Sequence, residues 1–218
     1  QIVDPSDDVV IAGRKVRFFQ TCHNAANSFG VAICTDQGNI VFSSDFIINF
    51  ATEENNYRFD LMKSSELARE KTLLLMCESK AANHHGFCSP NHRAAPIIEK
   101  YFKMDKRIFV ACYWQNMYRL REIIRFVKKY NKKLFFYDEY TEKVVRDVII
   151  EGTNTQIPEN EIIKREDLLR TKRGDVVVLI VGHSDDIYEE ITALGNHKNA
   201  DSRIVLDNQD IFINVAIA

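Results

Sequence analysis

Four runs in the chain are apolar almost without interruption: "TLLLMC" (72–77), "RIFVACYW" (107–114), "KLFFYD" (133–138) and "DVVVLIVG" (175–182). A strand that hides only one face alternates apolar with polar residues, whereas an unbroken apolar run suits a strand covered on both faces, as in a parallel sheet. Between these runs lie stretches that read as helices: "RAAPIIEKYFK" (93–103), the strongly amphipathic "NMYRLREIIRFVKKY" (116–130), "TEKVVRDVI" (141–149) and "REDLLR" (165–170). Strands alternating with helices predict parallel βαβ units, and hence an α/β fold. Ligands of such sheets collect at the carboxyl ends of the strands. The loops that begin at Glu78, Tyr113, Asp138 and Gly182 are therefore the ones to follow.

The first fifty residues obey a different pattern. "VVIAG", "KVRFFQT", "FGVAICT" and "NIVFSSDFI" are short apolar or alternating pieces separated by turn residues, with Asp36-Gln37-Gly38-Asn39 a hairpin signal. They predict an antiparallel β-region. After Gly195 the chain passes through "SRIVLDNQDIFINVAIA", which reads as hairpin-like about a turn at Asp207-Asn208-Gln209. A parallel block thus looks inserted into a β-rich frame. Because the chain stops on an apolar strand, the expectation is that it is a piece of a longer protein.

Composition narrows the function classes. The 218 residues are 45% hydrophobic and 28% charged with a formal net charge of −2, so no overall basic field points to nucleic acid. Any basic patch is local, as in Lys128, Lys129, Lys132 and Lys133, a run that reads first as a solvated helix end. Five widely spaced cysteines, Cys22, Cys34, Cys77, Cys88 and Cys112, read as reduced thiols. No leader-type or membrane-length apolar run is present, so the expected location is cytoplasmic, with no membrane partner.

Four constellations carry titratable or metal-binding groups. His23 and Asp45 each follow a predicted strand one hairpin apart, and both are ligand types for zinc or manganese, but two ligands do not hold a catalytic metal. His84, His85, Cys88 and His92 supply three imidazoles and a thiol within nine positions, at a spacing that fits no common zinc module. The turn "VGHSDDIYEE" offers a helix start, yet Asp185, Asp186, Glu189 and Glu190 would repel a phosphate there. Glu78 ends an apolar run, where a carboxylate faces the ligand side of a sheet.

Taken in order, "FFQTCHNAANSFGVAICTDQGNIVFSSDF", "LLLMCESKAANHHGFCSPNHR", "RIFVACYWQNMYRLREII" and "VVVLIVGHSDD" resemble the ribonuclease J family, part of the β-CASP group of the metallo-β-lactamase superfamily. The resemblance runs collinearly over nearly the whole chain. It implies that residues 1–70 are later strands of a metallo-β-lactamase domain, that 71–203 are a β-CASP domain inserted into it, and that 204–218 hold the strand returning to the first domain. It also implies RNA as substrate, hydrolysed with two divalent metal ions, zinc or manganese. His23 then matches a metal ligand, Asp45 the metal-bridging aspartate, and Glu78 with Ser79 the acid-serine pair of the first β-CASP motif. In that comparison Glu78 is catalytic, and Ser79, Asn116 and Arg119 face RNA.

The departures from the family pattern matter equally. Asn24-Ala25-Ala26-Asn27 replaces a turn of serine, an apolar residue, proline and aspartate. Ser44 replaces the glycine before the bridging aspartate. Pro90 and Asn91 replace a serine and a glutamate, Asp138 and Glu139 a glycine and an arginine, and Gly182 to Asp186 a G-S-x-G-E turn. The family's H-x-H-x-D-H cluster would lie before residue 1 and its last motifs after residue 218. The expectation is a diverged ribonuclease J-like protein, inactive as this piece alone, or a degenerate paralogue that acts as structural partner of an active subunit or as a homo-oligomer.

Overall fold

The computed structural model of the chain describes residues 2–4, 7–49, 55–79, 82–83, 85, 94–151, 155, 157–183 and 185–216. The chain is α/β and divides into two compact units, Gln1–His92 and Arg93–Ala218.

The first unit is built on a five-stranded sheet of β1 (Asp8–Ile11), β2 (Arg14–Gln20), β3 (Phe29–Thr35), β4 (Gly38–Phe42) and β5 (Thr72–Met76), in that spatial order. Strands β1 to β4 form an antiparallel meander, and β5 joins β4 in parallel. Asp36 and Gln37 make the β3–β4 turn, as their composition suggests. Gly38 follows with φ +135°, and a Cβ there would lie 2.7 Å from the Lys71 carbonyl oxygen, so only glycine fits. Helix α1 (Leu61–Ala68) starts where the Asp60 side chain accepts a hydrogen bond from Lys63 N at 2.9 Å. Its Leu67 packs on Phe19, Ala32 and Val41, one face of the sheet.

The register aligns Val16, Ile33, Ile40 and Leu74 in one row, and Phe18, Val31, Phe42 and Met76 in the next. These rows lie on the face opposite Ala32 and Val41, because neighbouring residues of a strand point to opposite sides. Burial falls off toward β5: Phe18 is 6% exposed, Phe42 48% and Met76 43%.

The second unit is a parallel sheet of β6 (Ile108–Tyr113), β7 (Lys133–Phe136), β8 (Val176–Gly182) and β9 (Ile211–Asn214), in the order β7-β8-β6-β9. Both faces are covered, which is why its strands are apolar throughout. On one face Val110, Cys112, Leu134, Phe136, Val177 and Leu179 meet helices α2 (Ala95–Phe102) and α3 (Met117–Lys129). In α3, Leu120, Ile123, Ile124 and Val127 are fully buried, the i, i+3, i+4, i+7 stripe of a helix that packs on a sheet. On the other face Phe109, Ala111, Phe135, Val178 and Ile180 meet Leu168, from a 3₁₀ helix at Arg165–Arg170, and α5 (Asp186–Gly195). Helix α4 (Glu139–Val144) continues as a π-helical segment, Val145–Glu151.

Two strands sit elsewhere than the sequence suggested. Thr72–Met76 reads as the first strand of the parallel block, but it pairs with β4 at the edge of the first sheet, and all five of its residues are exposed. An apolar run signals what a strand requires around it, not which sheet it joins. The segment 204–218 reads as returning to the first domain, but Ile211–Asn214 pairs with β6 in the second sheet. An ion-pair anchor fixes it there. The fully buried Asp210 carboxylate accepts from Arg107 Nε at 3.0 Å and Nη2 at 2.8 Å, and Ile211 N donates to the Arg107 carbonyl oxygen at 3.0 Å. Asp207 and Asp210 also hold Arg173, so the expected hairpin at 207–209 is instead the turn that delivers β9.

The lysine run is not a uniform surface patch either. Lys129 pairs with Glu99 at 2.5 Å, while Lys132 is buried and donates to the carbonyl oxygens of Met104 (3.0 Å), Lys106 and Gly174. Burial pushes its ammonium pKa down. No helix among the described residues is long and apolar enough to cross a membrane.

Candidate active site

In the first unit β2, β4 and β5 run in one direction, because β3 is antiparallel to both β2 and β4 and β5 is parallel to β4. Their carboxyl ends therefore share one edge of the sheet, and the residues that follow them are His23, Asp45 and Glu78. Two backbone bonds tie these ends together. Ile47 N donates to the Cys22 carbonyl oxygen at 2.7 Å, which brings the turn carrying Asp45 alongside the residue before His23. Ser43 N donates to the Met76 carbonyl oxygen at 3.0 Å, two residues before Glu78.

The turn around His23 is closed by Thr21 N donating to the Ser28 carbonyl oxygen at 2.8 Å and by Ser28 Oγ donating to the Ala25 carbonyl oxygen at 3.0 Å. Asn27 takes a left-handed conformation, φ +54°, which asparagine tolerates. Ser44, just before Asp45, also has φ +57°, a conformation that favours the glycine of the family pattern. His23 is half-buried, and Asp45, Glu78 and Ser79 are exposed.

Sharing an edge is not the same as making a ligand set. Among the described residues no three of His, Cys, Asp or Glu come close enough to hold a metal ion. Burial pushes the Cys22 thiol pKa up, against a hydrogen bond with Asn49. The described residues thus do not fit a two-metal centre by themselves. His85 is exposed, and its proposed zinc partners His84, Cys88 and His92 lie outside the described residues.

Thr21, next to this turn, is fully buried, and its hydroxyl oxygen has no hydrogen-bond partner among the described residues. An unsatisfied buried hydroxyl costs about 1–3 kcal/mol. Thr21→Val keeps the shape and removes that group, so it is expected to leave the urea midpoint unchanged or raise stability by about 1 kcal/mol. A loss beyond 1 kcal/mol would mean the hydroxyl is bonded.

In the second unit lie Asn116 and Arg119, two of the residues expected to face RNA. Asn116 caps α3, its side chain accepting from Arg119 N at 3.2 Å. Arg119 is buried, and its guanidinium is ion-paired with the buried Glu122. Burial raises the Glu122 carboxyl pKa in spite of that neighbour. Sequence reading missed Glu122, although an acid three positions after an arginine on a helix is a visible signal. The Arg119 guanidinium is thus engaged by an acid one turn along its own helix, α3.

At the carboxyl end of β7, a cavity of about 580 Å³ is lined by Tyr137, Asp138, Glu139, Tyr140, Arg165 and Arg203, among others. Asp201 in its wall is held down to about 2 by hydrogen bonds from Arg203 and Arg165. Asp138 is committed to capping α4, accepting from Thr141 N at 2.7 Å.

No protein-family model matches the chain. It is 24% identical over 200 residues to a ribonuclease J 2 of Streptococcus pyogenes serotype M3, which covers 90% of this chain and 36% of that protein. To a ribonuclease J 2 of Staphylococcus aureus it is 23% identical over 185 residues, 84% of this chain and 33% of that protein. The chain thus spans about a third of the length of these curated relatives. A crystal structure of a protein of unknown function from Enterococcus faecalis V583 matches with TM-score 0.62 at 14% identity, covering 99% of this chain and 55% of that one, and so shares its fold.

Proposed function

We propose that the chain, a distant relative of the ribonuclease J proteins, is the RNA-handling part of a metal-dependent RNA hydrolase. In this reading the first unit with its β5 is a share of a metallo-β-lactamase domain and the second a β-CASP domain. The observation that carries it is the edge shared by His23, Asp45 and Glu78, whose segments are tied by the Cys22–Ile47 and Ser43–Met76 backbone bonds, in a chain collinear with ribonuclease J 2 proteins over most of its length.

A catalytic metal takes at least three protein ligands and an open position, so cleavage belongs to a polypeptide that adds donors to His23 and Asp45. With such donors added, His23 and Asp45 would be among the residues that hold two divalent ions, whose chemistry there would be activation of a water and neutralisation of phosphate charge. What this chain contributes is placement: the segment of Asp45 follows β4, and Glu78 and Ser79 leave β5, at the sheet edge where β2 leads to His23. The test is cleavage of end-labelled single-stranded RNA with manganese by the longest natural polypeptide that contains this chain. Asp45→Ala is expected to lower the rate by at least about 100-fold, since even groups that only support metal ligands cost 10- to 100-fold. Equal rates for the two proteins would remove Asp45 from the chemistry.

A second reading, a degenerate paralogue that scaffolds an active subunit, is favoured by the absence of a three-ligand group among the described residues and by the exposed acids Glu139 and Asp185 at the ligand side of the second sheet. It predicts no cleavage by the wild-type polypeptide and co-purification with an active ribonuclease J.

A further inference from the structure

The strands of the second sheet are all parallel, so their amino ends share one edge and their carboxyl ends the other. The two edges carry opposite charge. At the carboxyl edge, where ligands of such sheets collect, the segments after β7 and β8 bring Asp138, Glu139, Asp185, Asp186, Glu189 and Glu190. At the amino edge, the segments that lead into β6, β7 and β8 expose Lys103, Lys106, Lys128, Lys133, Lys172 and Arg173, against the exposed acids Asp105 and Asp207. Helix dipoles explain part of this separation, since acids suit the starts of α4 and α5 and lysines the ends of α2 and α3. They do not explain Lys106, Lys133 and Lys172, which lie outside those helices.

One buried group fixes the amino edge. The Lys132 ammonium donates to the carbonyl oxygens of Met104 at 3.0 Å, Lys106 at 3.4 Å and Gly174, which ties together the segments before β6, β7 and β8. Among them lies a cavity of about 600 Å³, lined by Lys106, Arg107, Lys172, Arg173 and Gln209, among others. Arg107 and Arg173 are engaged by Asp210, and Lys172 by Asp105 at 2.9 Å. Lys106 and Lys133 have no ion-pair partner among the described residues. In a chain of formal net charge −2 this edge is a local basic field, and the mutual repulsion of its cations is relieved by an anion. Neighbouring strands lie about 4.8 Å apart, so the row from Lys133 on β7, past β8, to Lys106 before β6 spans about 10 Å. That length suits successive phosphates of a strand better than a single small ion.

We infer that the amino edge of the second sheet is a phosphate-contact surface for single-stranded RNA, with Lys106 and Lys133 as its uncommitted cations. The inference rests on the RNA-handling reading above and places the RNA backbone on the edge opposite the acidic one. Such contacts read charge and not base, so binding here is independent of sequence and sensitive to salt.

The test titrates the 218-residue chain against an end-labelled, unstructured 12-nucleotide RNA, follows anisotropy and repeats the titration over a range of potassium chloride concentrations. Wild type is expected to bind, with the logarithm of its affinity falling linearly with that of salt. Lys106→Gln with Lys133→Gln should weaken binding about 10-fold and reduce the salt slope by about 1.4, two contacts at about 0.7 each for a single strand, with an unchanged circular dichroism spectrum. Lys106→Glu with Lys133→Glu should weaken it further. Lys143→Gln with Lys164→Gln, an equal change of charge at exposed lysines off this edge, should leave the slope unaltered. The same slope for wild type and Lys106→Gln with Lys133→Gln, or an equal loss in the Lys143 and Lys164 control, would overturn the edge and leave the RNA reading standing. Absence of RNA binding by wild type would overturn both, and binding of a labelled oligoglutamate in its place would assign the edge to an acidic protein segment instead.

Discussion

Asp210→Ala is expected to cost the second unit about 3–5 kcal/mol, the penalty for breaking a buried ion pair and leaving its partner uncompensated. The Asp210 side chain is fully buried, and Arg107, itself nearly so, meets it with two hydrogen bonds. Arg173 donates to the same carboxylate at 2.8 Å and 3.1 Å, so one substitution removes a partner from two cations, of which Arg173 keeps Asp207. It also loosens the segment that delivers β9 to β6, because the Ile211–Arg107 backbone bond follows directly. Urea unfolding followed by Trp114 emission reads the second unit alone. Neighbouring guanidinium groups hold the Asp210 carboxyl below its ordinary 3.8 against the opposing effect of burial. A depressed acid stabilises above its unfolded pKa, and that contribution fades as pH falls through the folded value. The difference between wild type and variant should therefore be constant at neutral pH and shrink only below about pH 4. A loss under 1 kcal/mol, or one growing toward acid, would refute the anchor.

Glu122→Ala is the second large effect, also about 3–5 kcal/mol, because it breaks a buried ion pair by removing one member. The informative companion is the double change Arg119→Met with Glu122→Leu. Replacing both members of a buried pair by apolar groups of similar volume is often neutral or stabilising. The single variant is thus expected to be much less stable than the double, read again by Trp114 emission. If the double were as unstable as the single, the loss would not come from breaking the pair.

How far the sequence was legible follows from which interactions are local. The α3 stripe, the Asp36-Gln37 turn and the apolar runs of β6, β7 and β8 are short-range patterns, and each appears where the pattern puts it. The partners of β5 and β9 were not readable. Edge position and sheet membership depend on contacts over long sequence separations: Arg107 with Asp210 in one case, and β4 with a strand some thirty residues later in the other. The same holds for the site. His23, Asp45 and Glu78 stand out by type and by position after a strand, and the shared edge follows from topology. The Cys22–Ile47 bond that joins two of their segments involves only backbone atoms, which leave no mark in a sequence. The burial of Arg119 and its pairing with Glu122 are properties of the packed helix, which its residue type does not show.

The central claim is that this chain handles RNA but does not itself complete a hydrolytic centre. The direct measurement is incubation of the purified 218-residue chain with end-labelled single-stranded RNA and millimolar manganese, scored for both bound and cut RNA. The account predicts bound RNA, weakened by added salt as phosphate contacts require, and no cleavage above a metal-only control. Manganese-dependent cleavage by the chain that disappears in Asp45→Ala would contradict it.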